Sequence, residues 1–154
     1  MHSKLCKNFP QYAKIDGMKN VWVVKPSYNA RGIGIYCTDN LRDVVQEGKK
    51  ATSKIVQKYI ENPLLIKGKK FDIRQWVLVT SWEPLDVYVF DSAYIRLCTS
   101  DYTLSDLSDV YKHLSNYSIQ KHNDQAQGQC QTDGNPLVMS SKEFSSQMNI
   151  SWDG

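Results

Sequence analysis

Apolar positions along the chain change period several times, and each change marks an element. Residues 1–20 follow no clear period, so an irregular or short helical lead-in is expected there. Asn20-Val21-Trp22-Val23-Val24 has the apolar density of a buried strand, closed by Lys25-Pro26 because proline cannot donate to a ladder. A polar turn over residues 27–32 leads to a second strand, Ile33 to Cys37, so the two make a glycine-rich hairpin. Thr38 or Asp39 can cap a helix running through about Glu47. Leu41, Val44 and Val45 would form its buried stripe, and Gly48 its stop.

Strand patterning then dominates. Ile55 to Ile60 reads as a strand closed by Glu61-Asn62-Pro63, and Leu64-Leu65-Ile66 turns at Lys67-Gly68-Lys69 into the longest β run, Lys70 to Thr80. A turn at Trp82 to Leu85 feeds two further antiparallel strands, Asp86 to Phe90 and Ala93 to Leu97. The pattern weakens beyond Ser100, and Asn123 to Pro136, rich in Gln, Asp and Gly, reads as a mobile loop or insertion. Ser140-Ser141-Lys142-Glu143 offers a capping box for a short closing helix. The expected class is a mixed α+β domain with a mainly antiparallel sheet. Its divisions are a lead-in over 1–19, a core over 20–122, the loop over 123–136 and a further part beginning at 137–154.

Composition narrows the setting. At 154 residues, 41% hydrophobic and 23% charged, the chain suits one globular domain, and no apolar run approaches the roughly 20 residues of a membrane helix. The basic start lacks an apolar signal core, which argues against secretion. Cys6, Cys37, Cys98 and Cys130 lie far apart with no histidine at zinc-finger spacing, so free thiols in a reducing compartment are expected. Charge is uneven: residues 1–100 hold 16 Lys/Arg against 9 Asp/Glu, whereas residues 101–154 hold 3 against 7. The basic portion suits polyanions such as nucleotide phosphates, acidic peptides or nucleic acid; a solvated mixed-charge surface is the plainer explanation.

Neither a P-loop nor a dinucleotide-binding glycine motif is present. Instead, Lys25 ends one strand and Arg31-Gly32-Ile33-Gly34 opens the next, an arrangement in which backbone N–H groups and an ammonium can hold phosphates. Strand alternation places Lys70, Asp72 and Arg74 on one face, either as a polar pocket wall or as a salt-bridge row, and Arg96 could add a cation. Gln57, Lys58, Tyr59 and Ile60 could present polar groups and one apolar face to a purine, or could simply finish an amphipathic strand. His113, Ser115 and Asn116 add polar side chains in a region of poor periodicity, and His122 reads as an exposed histidine.

In this order the segments Val24-Lys25-Pro26, Arg31 to Ile35, Val56 to Ile60, Lys70 to Trp76, Tyr94-Ile95-Arg96 and His113 to Asn116 resemble the tubulin tyrosine ligase-like family, which uses an ATP-grasp fold. Glu61 to Ile66 and Asn116 to His122 resemble its glycylase branch. The resemblance implies an ATP-dependent carboxylate–amine ligase that phosphorylates a glutamate side chain of tubulin and displaces the phosphate with an amino acid, glycine in this branch. A polyglutamylase, a tyrosine ligase or a non-catalytic nucleotide- or tubulin-binding module are the alternatives.

Roles follow from the same resemblance. Lys25 would hold ATP phosphates beneath a loop of Arg31, Gly32 and Gly34, and Gln57, Lys58, Tyr59 and Ile60 would receive adenine. Lys70 and Asp72 would reach the sugar or phosphates, with His113, Ser115 and Asn116 completing the floor. Arg74 and Arg96 would be the catalytic cations, stabilising charge on the transferred phosphoryl group. Magnesium would be needed, but its ligands are expected outside this chain, as is an N-terminal domain, so the domain is expected to be incomplete at both ends and the isolated polypeptide inactive as a ligase. Acidic tubulin tails and free glycine are the implied partners, with neither nucleic acid nor membrane. The implied location is the cytoplasm and cytoskeleton, extending to a cilium or flagellum axoneme.

Overall fold

A computed structural model of the chain describes residues 2–50, 53–124 and 137–150. The expected loop over 123–136 lies almost wholly outside the described residues, as does Cys130. The fold is mixed α+β, and every strand pairing is antiparallel. The lead-in forms helix α1 (His2–Asn8) and one π-helical turn, Tyr12–Asp16, which ends at Gly17 with φ +76°.

The smaller sheet has the order β2-β1-β3. Strand β1 (Trp22–Pro26) ends at its proline as the sequence suggests. Its partner β2 (Tyr36–Thr38) begins later than Ile33, because Arg31, Gly32 and Gly34 all have positive φ and cannot extend. Helix α2 (Leu41–Lys49) follows, capped by the Asn40 side chain accepting from the Arg42 amide, not by Thr38 or Asp39. Gly48 lies inside the helix and does not stop it, and the expected buried stripe is largely open: Leu41 and Val45 are each about half exposed. Strand β3 (Lys54–Lys58) completes the sheet against β1, with Val23 opposite Gln57.

The larger sheet has the order β4-β5-β6-β7. The two-residue β4 (Leu65–Ile66) turns through Lys67-Gly68 into β5 (Lys69–Trp82), which pairs along its length with β6 (Leu85–Asp101). Two strands were expected where β6 is a single one, and Asp91-Ser92, which looks like a breaker, is bridged: Gln75 Nε2 donates to the Phe90 carbonyl at 2.6 Å. Short helices α3 (Val110–His113) and α4 (Tyr117–Gln120) lead to β7 (Val138–Ser140) and α5 (Ser141–Met148). The α5 capping box is complete, with the Ser140 and Glu143 side chains each bonding the other's backbone N–H.

Each sheet has its own core. Val21, Val23 and Tyr59 are buried beside Ile35, Tyr102 and Leu107, whereas Ile66, Ile95 and Phe144 are buried beside Phe71, Leu97 and Met139. The residues between these clusters, from β1, β3, β5 and the turn before α4, form the cavity described next.

Candidate functional site between the two sheets

A partly open cavity of about 250 Å³ lies where the sheets face each other. That is just below the roughly 300–1,000 Å³ of typical small-molecule sites, so it suits one part of an elongated ligand more than the whole. Strand β1 supplies Val23 and Lys25, β3 and its exit supply Gln57, Lys58, Tyr59 and Ile60, and β5 supplies Lys70 and Asp72. His113 to Asn116 close it from the other side. Ten side chains singled out from the sequence as nucleotide-holding therefore line one cavity, and Val23, Ile35 and Leu114 give it an apolar component.

Their wiring differs from residue to residue. Lys25 Nζ donates to Gln57 Oε1 at 2.7 Å, whereas Lys70 makes no side-chain hydrogen bond or ion pair among the described residues. Its positive charge nonetheless lies near enough to Cys37, Cys98 and His113 to favour their thiolate and neutral imidazole forms. Burial dominates for both thiols and pushes each up to about 11, so they stay protonated at neutral pH. Ser115 is buried at the cavity wall.

Tyr59 and His113 are committed to each other. The Tyr59 hydroxyl lies 2.9 Å from His113 Nδ1, and His113 Nε2 lies 2.9 Å from the Asp106 carbonyl. A carbonyl can only accept, so Nε2 carries the proton and Nδ1 accepts from Tyr59. Burial holds the imidazole below its ordinary pKa and Tyr59 well above the ordinary phenol value. Both side chains thus fix the floor, and little of their polar capacity is left for a ligand. Asp72 is likewise engaged: Arg96 Nε donates to its Oδ1 at 2.8 Å, and the second guanidinium nitrogen completes a fork on Oδ2. This pair joins β5 to β6; no ion pair links Lys70, Asp72 and Arg74 to one another among the described residues.

Five of the singled-out residues do not line the cavity. Arg74 is exposed opposite Tyr94 and does not line the cavity, and Arg96 reaches it only through Asp72. The loop of Arg31, Gly32 and Gly34 sits at the rim. A Cβ on Gly32 would lie 2.5 Å from Ile119 Cδ1 and 2.9 Å from Asn116 Oδ1, and the φ of +83° there strains any residue but glycine. Among the described residues no group of three or more His, Cys, Asp or Glu converges, and Asp72 is the one carboxylate on the wall.

An apolar slot next to two ammonium groups fits a ligand with a flat part and an anionic part. Comparison with known proteins gives that fit a context. The model of the Tubulin-tyrosine ligase family matches residues 2–151. The chain belongs to that family.

Relatives of this tubulin-tyrosine ligase family chain include Tubulin glycylase 3E of Tetrahymena thermophila, 48% identical over 121 residues, covering 73% of this chain and 9% of that protein. Human Tubulin monoglycylase TTLL3 is 47% identical over 114 residues, covering 70% of this chain and 15% of the relative. Mouse Protein monoglycylase TTLL8 is 40% identical over 125 residues, with 77% and 15% covered. The chain thus spans between 9% and 15% of the length of these relatives.

Residues of this family member to which the sequence assigned no role in the site hold it in place. Glu61 is buried at 3% exposure and accepts from Lys58. Fully buried Gln120 accepts from Thr99 N at 2.7 Å and donates to the Leu114 carbonyl at 2.6 Å, fixing the segment that presents Ser115 and Asn116. Ser118 Oγ donates to the Arg31 carbonyl at 2.8 Å and pins the glycine loop to α4. Their sequence neighbours are mixed polar and apolar, so no local signal marked them, and their partners lie up to 87 positions away.

Proposed function

We propose that the cavity holds ATP and that the chain is the nucleotide-binding part of an ATP-dependent ligase adding glycine to glutamate side chains of tubulin. The observation that carries this reading is Lys25 and unpaired Lys70 beside an apolar slot, in one cavity lined by four separate segments. Val23, Ile35, Ile60 and Leu114 would enclose the base, and Lys25 and Lys70 would bind phosphates. Gly32 and Gly34 would let the rim loop approach those phosphates with backbone N–H groups, and Ser115 and Asn116 would complete the contacts.

A carboxylate is a poor electrophile, and phosphorylation by ATP with magnesium supplies the activation that amide formation requires. This chain's part is to orient the nucleotide, neutralise its charge and keep water from the phosphates. Arg96, fixed by Asp72, presents a cation of fixed direction next to the wall, and Arg74 is an exposed cation one step along the same strand face. Magnesium would draw its further ligands from outside the described residues. The glycine preference and tubulin as acceptor rest on the glycylase names of the relatives; the acidic tubulin tails, and the microtubule cytoskeleton with cilia as location, are proposed beyond those names.

The chain, expressed with whatever flanking sequence its gene encodes and given tubulin, magnesium, ATP and labelled glycine, is expected to label tubulin and to lose that activity in Lys70→Ala. No ATP consumption with glycine, glutamate or tyrosine would overturn the ligase reading. Transfer of glutamate or tyrosine in place of glycine would overturn the glycylase assignment alone.

A further inference from the structure

Lys58 lines the cavity, yet its ammonium is used up inside the fold. Nζ donates to Glu61 Oε1, to the Asp16 carbonyl at 3.1 Å and to the Tyr59 carbonyl at 3.2 Å. An ammonium has three N–H groups, and three acceptors take them. Glu61 is the charged member of that set, 3% exposed, and its other oxygen accepts from the Lys19 amide at 2.9 Å. The backbone is shaped around this carboxylate. A Cβ on Gly17, where φ is +76°, would lie 2.1 Å from Glu61 Oε2, so no larger residue fits beside it. The Glu61 amide donates to Asp16 O at 3.2 Å, the Asn62 amide to Ile15 O at 2.9 Å, and the Tyr102 hydroxyl to Glu61 O at 2.8 Å. The lead-in is thereby fastened to the segment that forms the Tyr59–Ile60 wall.

We propose that Glu61 is a positioning residue that sets base selectivity, by turning the Lys58 charge away from the cavity. The inference rests on the nucleotide reading of the cavity. Guanine offers two acceptors, O6 and N7, on the edge where adenine offers the N7 acceptor and the N6 amino donor. A free ammonium is a donor only, so it would bind the guanine edge and oppose the adenine amino group. Held by Glu61, Lys58 leaves the wall without that cation and the site favours adenine. Removing the carboxylate's charge leaves Lys58 uncompensated in a part-buried place, and the cavity is the open direction in which it can find an acceptor.

Binding of magnesium–ATP and magnesium–GTP, measured by titration calorimetry without turnover, tests this. The wild-type chain is expected to prefer ATP. Glu61→Gln keeps the shape and loses the charge, and the ATP-to-GTP affinity ratio is expected to fall about tenfold, the size of one charge-assisted hydrogen bond. Glu61→Asp, which keeps the charge but not the reach to both partners, is expected to lower the ratio less and serves if the glutamine variant melts below the assay temperature. Lys58→Met combined with Glu61→Gln, with no cation to release, is expected to restore the ratio. An unchanged ratio in Glu61→Gln and Glu61→Asp, including a case where both nucleotides weaken alike, would overturn the inference and leave Glu61 a purely structural residue. Failure of the wild-type chain to bind ATP would instead remove the nucleotide reading and this inference with it.

Discussion

Gln120 shows how much one buried amide can hold. Its Oε1 accepts from Thr99 N and Oγ1, and its Nε2 donates to the Tyr111 and Leu114 carbonyls. Gln120→Leu keeps the volume and orphans those groups, so a loss of about 2–4 kcal/mol is expected in urea unfolding; a loss within about 0.5 kcal/mol would show the network to be dispensable. His113 gives the pH dependence. Its folded-state pKa lies below the ordinary value because burial penalises the imidazolium, so the unfolded chain takes up a proton that the folded chain resists. Stability is therefore full above about pH 6.5 and falls as the pH drops from there towards the lowered folded value. Wild type should lose stability relative to His113→Gln as the pH falls below about 6.5, and parallel unfolding profiles of the two would contradict the assigned tautomer and burial. The histidine was visible in the sequence, but its role was not. Its partner Tyr59 lies 54 positions away, and a side chain's wiring is fixed by tertiary contacts that no local pattern encodes.

Elements whose signals are local were the ones most legible. The α5 capping box needs only Ser140 and Glu143 three residues apart, and the structure forms it as the spacing predicts. Ser140→Ala is expected to cost about 1 kcal/mol, read as a lower thermal midpoint, because α5 buries Phe144 against the larger sheet. An unchanged midpoint would mean that Phe144 packing alone holds the helix. Helix α2 shows the opposite case. The sequence pointed to Thr38 or Asp39 as the cap, because each is a competent capping residue just before the apolar stripe. The fold chose Asn40, whose own amide is taken by the Thr38 hydroxyl at 3.1 Å. The wall residues Lys25, Gln57 and Lys70 were legible as candidates because polar side chains at the ends of apolar strands are locally conspicuous. That Arg74 stands off the wall, and that Asp72 is held by Arg96, followed from the register of β5 on β6, which sequence does not give.

Two sheets with separate small cores, meeting at the cavity, make the whole molecule sensitive to what joins them. The outer part of the β5–β6 hairpin is apolar on both faces, with the paired Leu78 and Tyr88 on one and the paired Val77 and Val89 on the other, all more than half exposed. A ribbon of that kind invites association, so Trp82→Lys with Leu85→Lys should reduce light scattering in solution while leaving the thermal midpoint within a few degrees. A large fall in midpoint would show that the tip contributes to folding of the isolated chain. Nucleotide binding between the sheets requires Lys25 and Lys70 to act on one anionic ligand in the cavity that both line. Its most direct test is a calorimetric titration of magnesium–ATP into the wild-type chain and into Lys70→Ala. Saturable one-to-one binding that weakens by about tenfold or more in the variant, with an unchanged unfolding midpoint, is the predicted result. Equal affinity in the two proteins, or no saturable binding in either, would contradict the central claim.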